Sequence, residues 1–278
     1  MEQHQPKKEL NNLQQRLLAG IIGGAVFIGA IYWSEWTFFL LFLALTVLGV
    51  LEFYRLLSSR GFQPNRVLGV VLGAGLYVAG FAVQRGALSS DWLFLLPPVV
   101  FLTLVAELYR KKENPFTNVA LTLLGVLYIA APFTLLHVLA FLPDRYSWQI
   151  ILGVMFLIWS SDTGAYAAGK TFGKNKLFPR ISPGKTWEGW AGGVVLSLAV
   201  AWLLAQFYAD LTLFQWLGVA VLVSVFGVLG DLVESMLKRS LEVKDSGTLI
   251  PGHGGILDRF DSLLLVIPFL VAFLALLP

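Results

Sequence analysis

Residues 148–167 read WQIILGVMFLIWSSDTGAYA. Nothing charged interrupts Ile150 to Trp159, and the run is long enough, at about 1.5 Å per helical residue, to cross the roughly 30 Å hydrocarbon core of a bilayer. Only a helix or a closed barrel pairs its own backbone in lipid, so a lone apolar run of this length predicts a membrane helix. The same stretch ends on Ser160, Ser161 and Asp162. A carboxylate at the end of a membrane helix costs free energy unless it is paired or binds a cation, which marks Asp162 as a candidate functional residue.

Outward from this span, comparable apolar runs lie at about 17–34, 36–51, 67–84, 92–108, 117–141, 189–208, 213–233 and 260–278. The predicted fold is therefore an all-α, polytopic membrane bundle of about nine spans. The runs at 36–51 and 67–84 are the weakest, being short or glycine-rich, so eight spans is the alternative. Composition agrees: 57% of the 278 residues are hydrophobic and 13% charged, against roughly 25% charged in soluble domains. No polar stretch is long enough to bury a core of its own, so residues 1–278 read as one membrane-embedded domain with a polar N-terminal segment at 1–16. The first run follows Lys7, Lys8 and Arg16 but is bulky and directly succeeded by a second run, which favours an uncleaved helix over a signal peptide. The absence of cysteine excludes disulfides, thiolate metal sites and a cysteine nucleophile, and His4, His137 and His253 are too few for a zinc site.

Positive residues are retained on the cytoplasmic side of a membrane. The segments before span 1 and after spans 2, 4, 6 and 8 hold eighteen of the twenty Lys and Arg residues; only Arg85 and Arg145 fall on the other side. The N-terminus is thus expected inside, together with two polar connections, 168–188 and 231–261. No internal repeat supports the inverted halves of a transporter.

The first connection contains Gly164 to Thr171, a match to the P-loop pattern G-x-x-x-x-G-K-[ST]. A P-loop wraps backbone amides around phosphate between a strand and a helix, and here a membrane helix precedes it, so the match lacks its mechanism. The residue chemistry still suits phosphate: Lys170, Lys174, Lys176, Arg180 and Lys185 stand among glycines and the hydroxyls of Ser182 and Thr186. For Lys174 and Lys176 an equal reading is a basic anchor for anionic lipid head groups.

In the second connection Asp231, Glu234, Ser235 and Lys238 are spaced to share one face of a helix continuing from span 8. Arg239, Lys244 and Asp245 follow, then Pro251-Gly252-His253-Gly254-Gly255, a turn whose glycines permit positive φ and close backbone approach. Asp258-Arg259-Phe260-Asp261 opens the last span. Asp231, Asp258 and Asp261 are the hard oxygen ligands that Mg²⁺ prefers, with water and substrate phosphate completing its shell. Interfacial pairing with Lys or Arg would explain one of these carboxylates but hardly all three.

The run from Ser235 to Asp261, S-x-L-K-R-x4-K-D-x-G-x2-I-P-G-H-G-G-I-x-D-R-F-D, resembles the signature of bacterial phosphatidate cytidylyltransferases, the CDP-diacylglycerol synthases. Ser161 to Tyr166 and Ser182 to Gly189 resemble the family's other shared segment, so the matches cover a catalytic half at 159–278. Gly184 departs from the pattern, which carries a lysine there in many members. The resemblance implies that CTP and phosphatidic acid give CDP-diacylglycerol and pyrophosphate with Mg²⁺ required, in the bacterial cytoplasmic membrane with the site facing the cytoplasm. It implies CTP, phosphatidic acid and membrane lipids as partners, no nucleic acid, and leaves a homodimer open. On this basis Asp231, Asp258 and Asp261 are expected to bind metal. Asp162, Lys170, Ser182, Lys185, Thr186 and Ser235 are expected to bind substrate. Lys238, Arg239, Lys244, Asp245, His253 and Arg259 are expected to be catalytic, with His253 a hydrogen-bond donor or turn former rather than a base. Two other classes compete: a CTP-dependent lipid kinase, which would release CDP, and a transporter, against which the charges cluster on one side rather than at the midplane. The D-G-x2-A-R string of CDP-alcohol phosphotransferases is absent.

Overall fold

A computed structural model describes residues 12–247 and 254–276 of the protein. The helices are α1 (Asn12–Trp33), α2 (Glu35–Ser58), α3 (Arg66–Gln84), α4 (Leu96–Leu108, entered through a 3-10 segment Ser90–Leu95), α5 (Pro115–Gly125), α6 (Ala131–Ala140), α7 (Trp148–Phe172), α8 (Trp187–Phe207), α9 (Leu213–Ser240) and α10 (Leu257–Leu276). A π-helical turn, Val126–Ala130, joins α5 to α6 as one continuous span. Among the described residues eight spans are long and apolar enough to cross a membrane, and α1 adds the shorter apolar segment Gly20–Trp33. The protein is a multi-pass membrane protein, and the expected bundle of about nine helices is present.

Local sequence explains where the helices start and bend. Ser34 with Thr37 and Thr212 with Gln215 form reciprocal capping boxes at the starts of α2 and α9, satisfying amides that a helix leaves open. Pro132 has no amide to bond the carbonyl of Tyr128, and the widened π turn lies directly before it. Both helices whose apolar runs are weakest in sequence are full length. The apolar run at 36–51 extends to Ser58 because Glu52, which ends the run, is itself buried. Likewise α7 continues to Phe172, past the expected loop start at 168, and the remaining connection contains the one strand pair among the described residues: β1 (Lys176–Phe178) antiparallel to β2 (Ser182–Thr186).

Aromatic side chains, among them Phe38, Phe42, Tyr54, Tyr77 and Phe133, fill the interior of the N-terminal half, and Trp216 fills that of the C-terminal half. Outward faces carry residues such as Phe94, Phe101, Val195 and Phe214, as expected where lipid is the solvent. The two ends of the bundle differ. One is closed by Arg85 on Glu35 and by Arg145 and Ser147 on Asp210. The other gathers the ends of α2, α4, α7 and α9 with the starts of α3, α5, α8 and α10, and carries the ion pairs of Arg60, Arg110, Lys185 and Lys238.

Candidate active site

At that second end α7, the hairpin, α8 and α9 enclose a cavity of about 530 Å³, within the roughly 300–1,000 Å³ of small-molecule sites. Asp162, Tyr166, Gly169 and Lys170 line it from α7; Ser182, Gly184, Lys185 and Thr186 from β2; Gly189 and Trp190 from α8; and Asp231 from α9. The hairpin is held in place by Glu188, whose carboxylate accepts from the amides of Lys174 (3.1 Å) and Asn175 (3.2 Å) and from the Asn175 side chain (2.7 Å). Thr186 caps α8 by accepting from the Gly189 amide at 3.1 Å. The first turn of α8 therefore forms a wall of the cavity, where the helix dipole favours an anion. A Cβ on Gly164 would stand 2.5 Å from the Gly192 carbonyl, so glycine there is what lets α7 and α8 close around the site.

Lys185 reaches across the cavity to Asp231 (Nζ to Oδ2, 2.6 Å), and Ser235 donates to the other oxygen of Asp231 at 3.1 Å. The backbone of α10 lies against Gly230, where a Cβ would stand 2.6 Å from the Asp261 carbonyl. This close crossing brings Asp261 within the field of Asp231, Asp162 and Lys185. Asp162 is exposed and lines a second space as well, a groove of about 350 Å³ between α1, α2, α7 and α10. That groove is apolar along Phe27, Leu41, Leu45 and Met155 and polar at one end, where Asp162, Arg259 and Asp261 meet.

Asp258 goes elsewhere. Its Oδ1 accepts from Lys238 at 2.6 Å, and its Oδ2 accepts from the amides of Gly255 and Ser246, both at 3.0 Å, and lies 2.9 Å from the Ser246 hydroxyl. Lys238 also pairs with Glu234 at 2.7 Å, and Glu234 is 2% exposed. Glu52 of α2 joins this group by accepting from Ser246, Ile256 and Leu257.

The structure thus brings Asp162, Lys170, Ser182, Lys185, Thr186 and Asp231 to one cavity, with Ser235 and Asp261 beside it, and divides the three expected metal ligands into two groups. Arg239, Lys244 and Asp245 are exposed at the end of α9 and in the turn after it, away from the cavity lining. Arg259 faces the groove. His253 lies outside the described residues. The P-loop match falls wholly within α7, where the backbone amides serve the helix and are not free to wrap a phosphate. Glu52 was missed. Its signal was an acid at the end of an apolar run, which in a membrane protein is a functional candidate by itself.

Among the described residues no three Asp, Glu or His side chains converge as a complete metal cage. Mg²⁺ does not require one, since it keeps waters and takes one or two carboxylates plus substrate phosphate. Asp231 and Asp261 fit that need, both beside a cavity suited to phosphate.

Against known proteins, residues 14–277 match the model of the Cytidylyltransferase family. The chain is 37% identical over 270 residues to the phosphatidate cytidylyltransferase of Bacillus subtilis (strain 168), covering 95% of this chain and 98% of that one. It is 35% identical over 266 residues to that of Staphylococcus saprophyticus (93% and 97%) and 38% identical over 232 residues to that of Staphylococcus aureus strain COL (81% and 85%). The match runs through the apolar N-terminal half as well as the motif-bearing half. The chain belongs to the cytidylyltransferase family.

Proposed function

We propose that the chain transfers a cytidylyl group from CTP to phosphatidate, giving CDP-diacylglycerol and pyrophosphate. The observation that carries this reading is that Asp162 lines both the polar cavity and the apolar groove. A water-soluble polyanion and a two-chain lipid can therefore meet at one place. The triphosphate lies in the cavity with Lys170 and Lys185 as point charges and Ser182 and Thr186 as hydroxyl partners. Acyl chains occupy the groove, and the lipid phosphate sits at its polar end near Arg259.

An oxygen of the lipid phosphate attacks the α-phosphorus of CTP, and the bond from that phosphorus to pyrophosphate breaks. A phosphate monoester has its second ionisation near pKa 6, so it is already a nucleophile at neutral pH and no side chain need remove a proton. The protein's task is to align two polyanions and oppose charge on the leaving group. Asp231 and Asp261 would hold Mg²⁺, which when bound neutralises that charge. The charge asymmetry supports a cytoplasmic site in a bacterial cytoplasmic membrane.

The test is purified protein in detergent with CTP, phosphatidate and Mg²⁺. Pyrophosphate and a CDP-lipid are expected; CDP release would mean a kinase, and lipid-independent ATP hydrolysis would sink the assignment. For orientation, Lys176→Cys should resist an impermeant thiol reagent outside intact cells while Ala87→Cys reacts. Ala87 is exposed between α3 and α4, whereas Ser147 of the same face is buried as the cap of α7.

A further inference from the structure

Glu52 sits on α2, in the half of the chain that carries none of the motifs, and it is 2% exposed. A buried acid is tolerated when donors satisfy it, and these donors come from 194 to 205 positions away in sequence. Its Oε1 accepts from the Ser246 hydroxyl at 2.6 Å and the Leu257 amide at 3.0 Å; its Oε2 accepts from the Ile256 amide at 2.9 Å. Gly255, the preceding amide, is taken by Asp258. Three consecutive amides at the start of α10 are thus held by two carboxyl groups, one local and one from α2. Ser246 Oγ lies between the same two groups and, with one proton to give, donates to one of them at a time.

The turn is shaped around this side chain. A Cβ on Gly255 would stand 2.2 Å from Glu52 Oε1, and one on Gly247 would stand 2.9 Å from Oε2. Just past the end of α2, in the turn that follows it, Arg60 holds Glu242 through its side chain at 3.1 Å and its carbonyl at 3.0 Å. α2 and the turn after it therefore hold the chain shortly after α9 ends and again where α10 begins.

We propose that Glu52 is a positioning residue for cytidylyl transfer: by clamping the start of α10 to α2 it sets Asp258 on Lys238 and Asp261 beside Asp231. This rests on the function proposed above. Glu52 lines neither the cavity nor the groove, so its loss should alter turnover rather than substrate affinity.

The test compares Glu52→Gln, which keeps the size but replaces one acceptor with a donor, and Glu52→Asp, which keeps two acceptors on a shorter stem. Pyrophosphate release gives kcat and KM; amide hydrogen exchange, which needs no substrate, gives the clamp. In Glu52→Gln kcat should fall by about 10- to 100-fold, the cost usual for outer-shell partners. KM for CTP and phosphatidate should stay within about threefold. Exchange should rise at residues 254–258 and not in α7 or α8, and Glu52→Asp should recover part of the rate. A wild-type kcat with unchanged exchange in Glu52→Gln overturns the proposal. So does exchange rising throughout the bundle with no recovery in Glu52→Asp, which would mean a merely structural acid. If Glu52→Gln does not fold, Ser246→Ala must show the same kcat-selective loss and local exchange, or the proposal fails. If the wild-type protein makes no CDP-lipid, the assigned reaction falls while exchange still decides the clamp.

Discussion

Two groups of carboxylates stand side by side at the polar end of this bundle, and the protein treats them oppositely. Asp162, Asp231 and Asp261 border open space, with Lys185 and Ser235 the side-chain partners of Asp231. Asp258 and Glu52 have both oxygens occupied by amides, a hydroxyl or Lys238, and Glu234 shares that lysine. An acid at a membrane helix end must be compensated. The first group leaves room for a ligand to do so; in the second Asp258 and Glu52 are compensated from within, while Glu234 keeps one buried oxygen, Oε1, without a hydrogen-bond partner among the described residues. The number of internal donors, rather than the spacing of acids along the chain, separates the two.

The strongest way to break this contrast is to remove the cation. Chelation with EDTA should abolish pyrophosphate release, and added Mg²⁺ should restore it without any change in thermal midpoint; activity surviving chelation would refute the metal reading of the open group. Asp231→Asn or Asp261→Asn should follow, with kcat down by at least about 10² to 10³, the usual cost of one electrostatic stabiliser. Because the Lys185–Asp231 pair is partly exposed, at 24% and 37%, its loss should cost only about 0–1 kcal/mol of stability. Asp231→Asn should therefore be inactive yet melt like the parent.

The closed group should show the reverse balance. Lys238→Ala strands Glu234 and Asp258, whose side chains are 2% and 12% exposed. Breaking a buried pair from one side costs about 3–5 kcal/mol. A clear drop in melting temperature should thus accompany any loss of rate, and an unchanged midpoint would mean that the two groups do not differ as described. The smallest effect should be at Lys170, exposed on the cavity rim and stacked toward Tyr166 at 5.7 Å. Lys170→Ala should raise KM for CTP several-fold and leave kcat nearly intact; a kcat effect as large as that of Asp231→Asn would place Lys170 with the open group.

Much of the site was legible in sequence because its residue types are conspicuous in an apolar chain. Asp162, Lys185 and Asp231 stand out wherever such a chain turns polar, and all three line one cavity. Asp258 and Asp261 were less legible: a spacing of three implies a shared face, yet they serve different partners. Asp258 lies in the first turn of α10 and folds back on the Gly255 amide, while Asp261, one turn later, meets α9 where Gly230 allows contact. The extension of α7 to Phe172 was hidden because Gly169, Lys170 and Thr171 read as loop; helix continuity there depends on packing against α8.

By itself the sequence determined that this chain crosses membranes many times, that its basic residues gather at one end, and which motifs carry the family resemblance. Those properties follow from local quantities: the length of apolar runs, the position of charges, and the identity of neighbouring residues. Only the tertiary structure decided which acids face a cavity and which are held by the protein. It alone also showed that α2 reaches the start of α10 through Glu52. Hydrogen-bond satisfaction depends on donors contributed by distant segments, and no pattern along a single stretch records which segment will supply them.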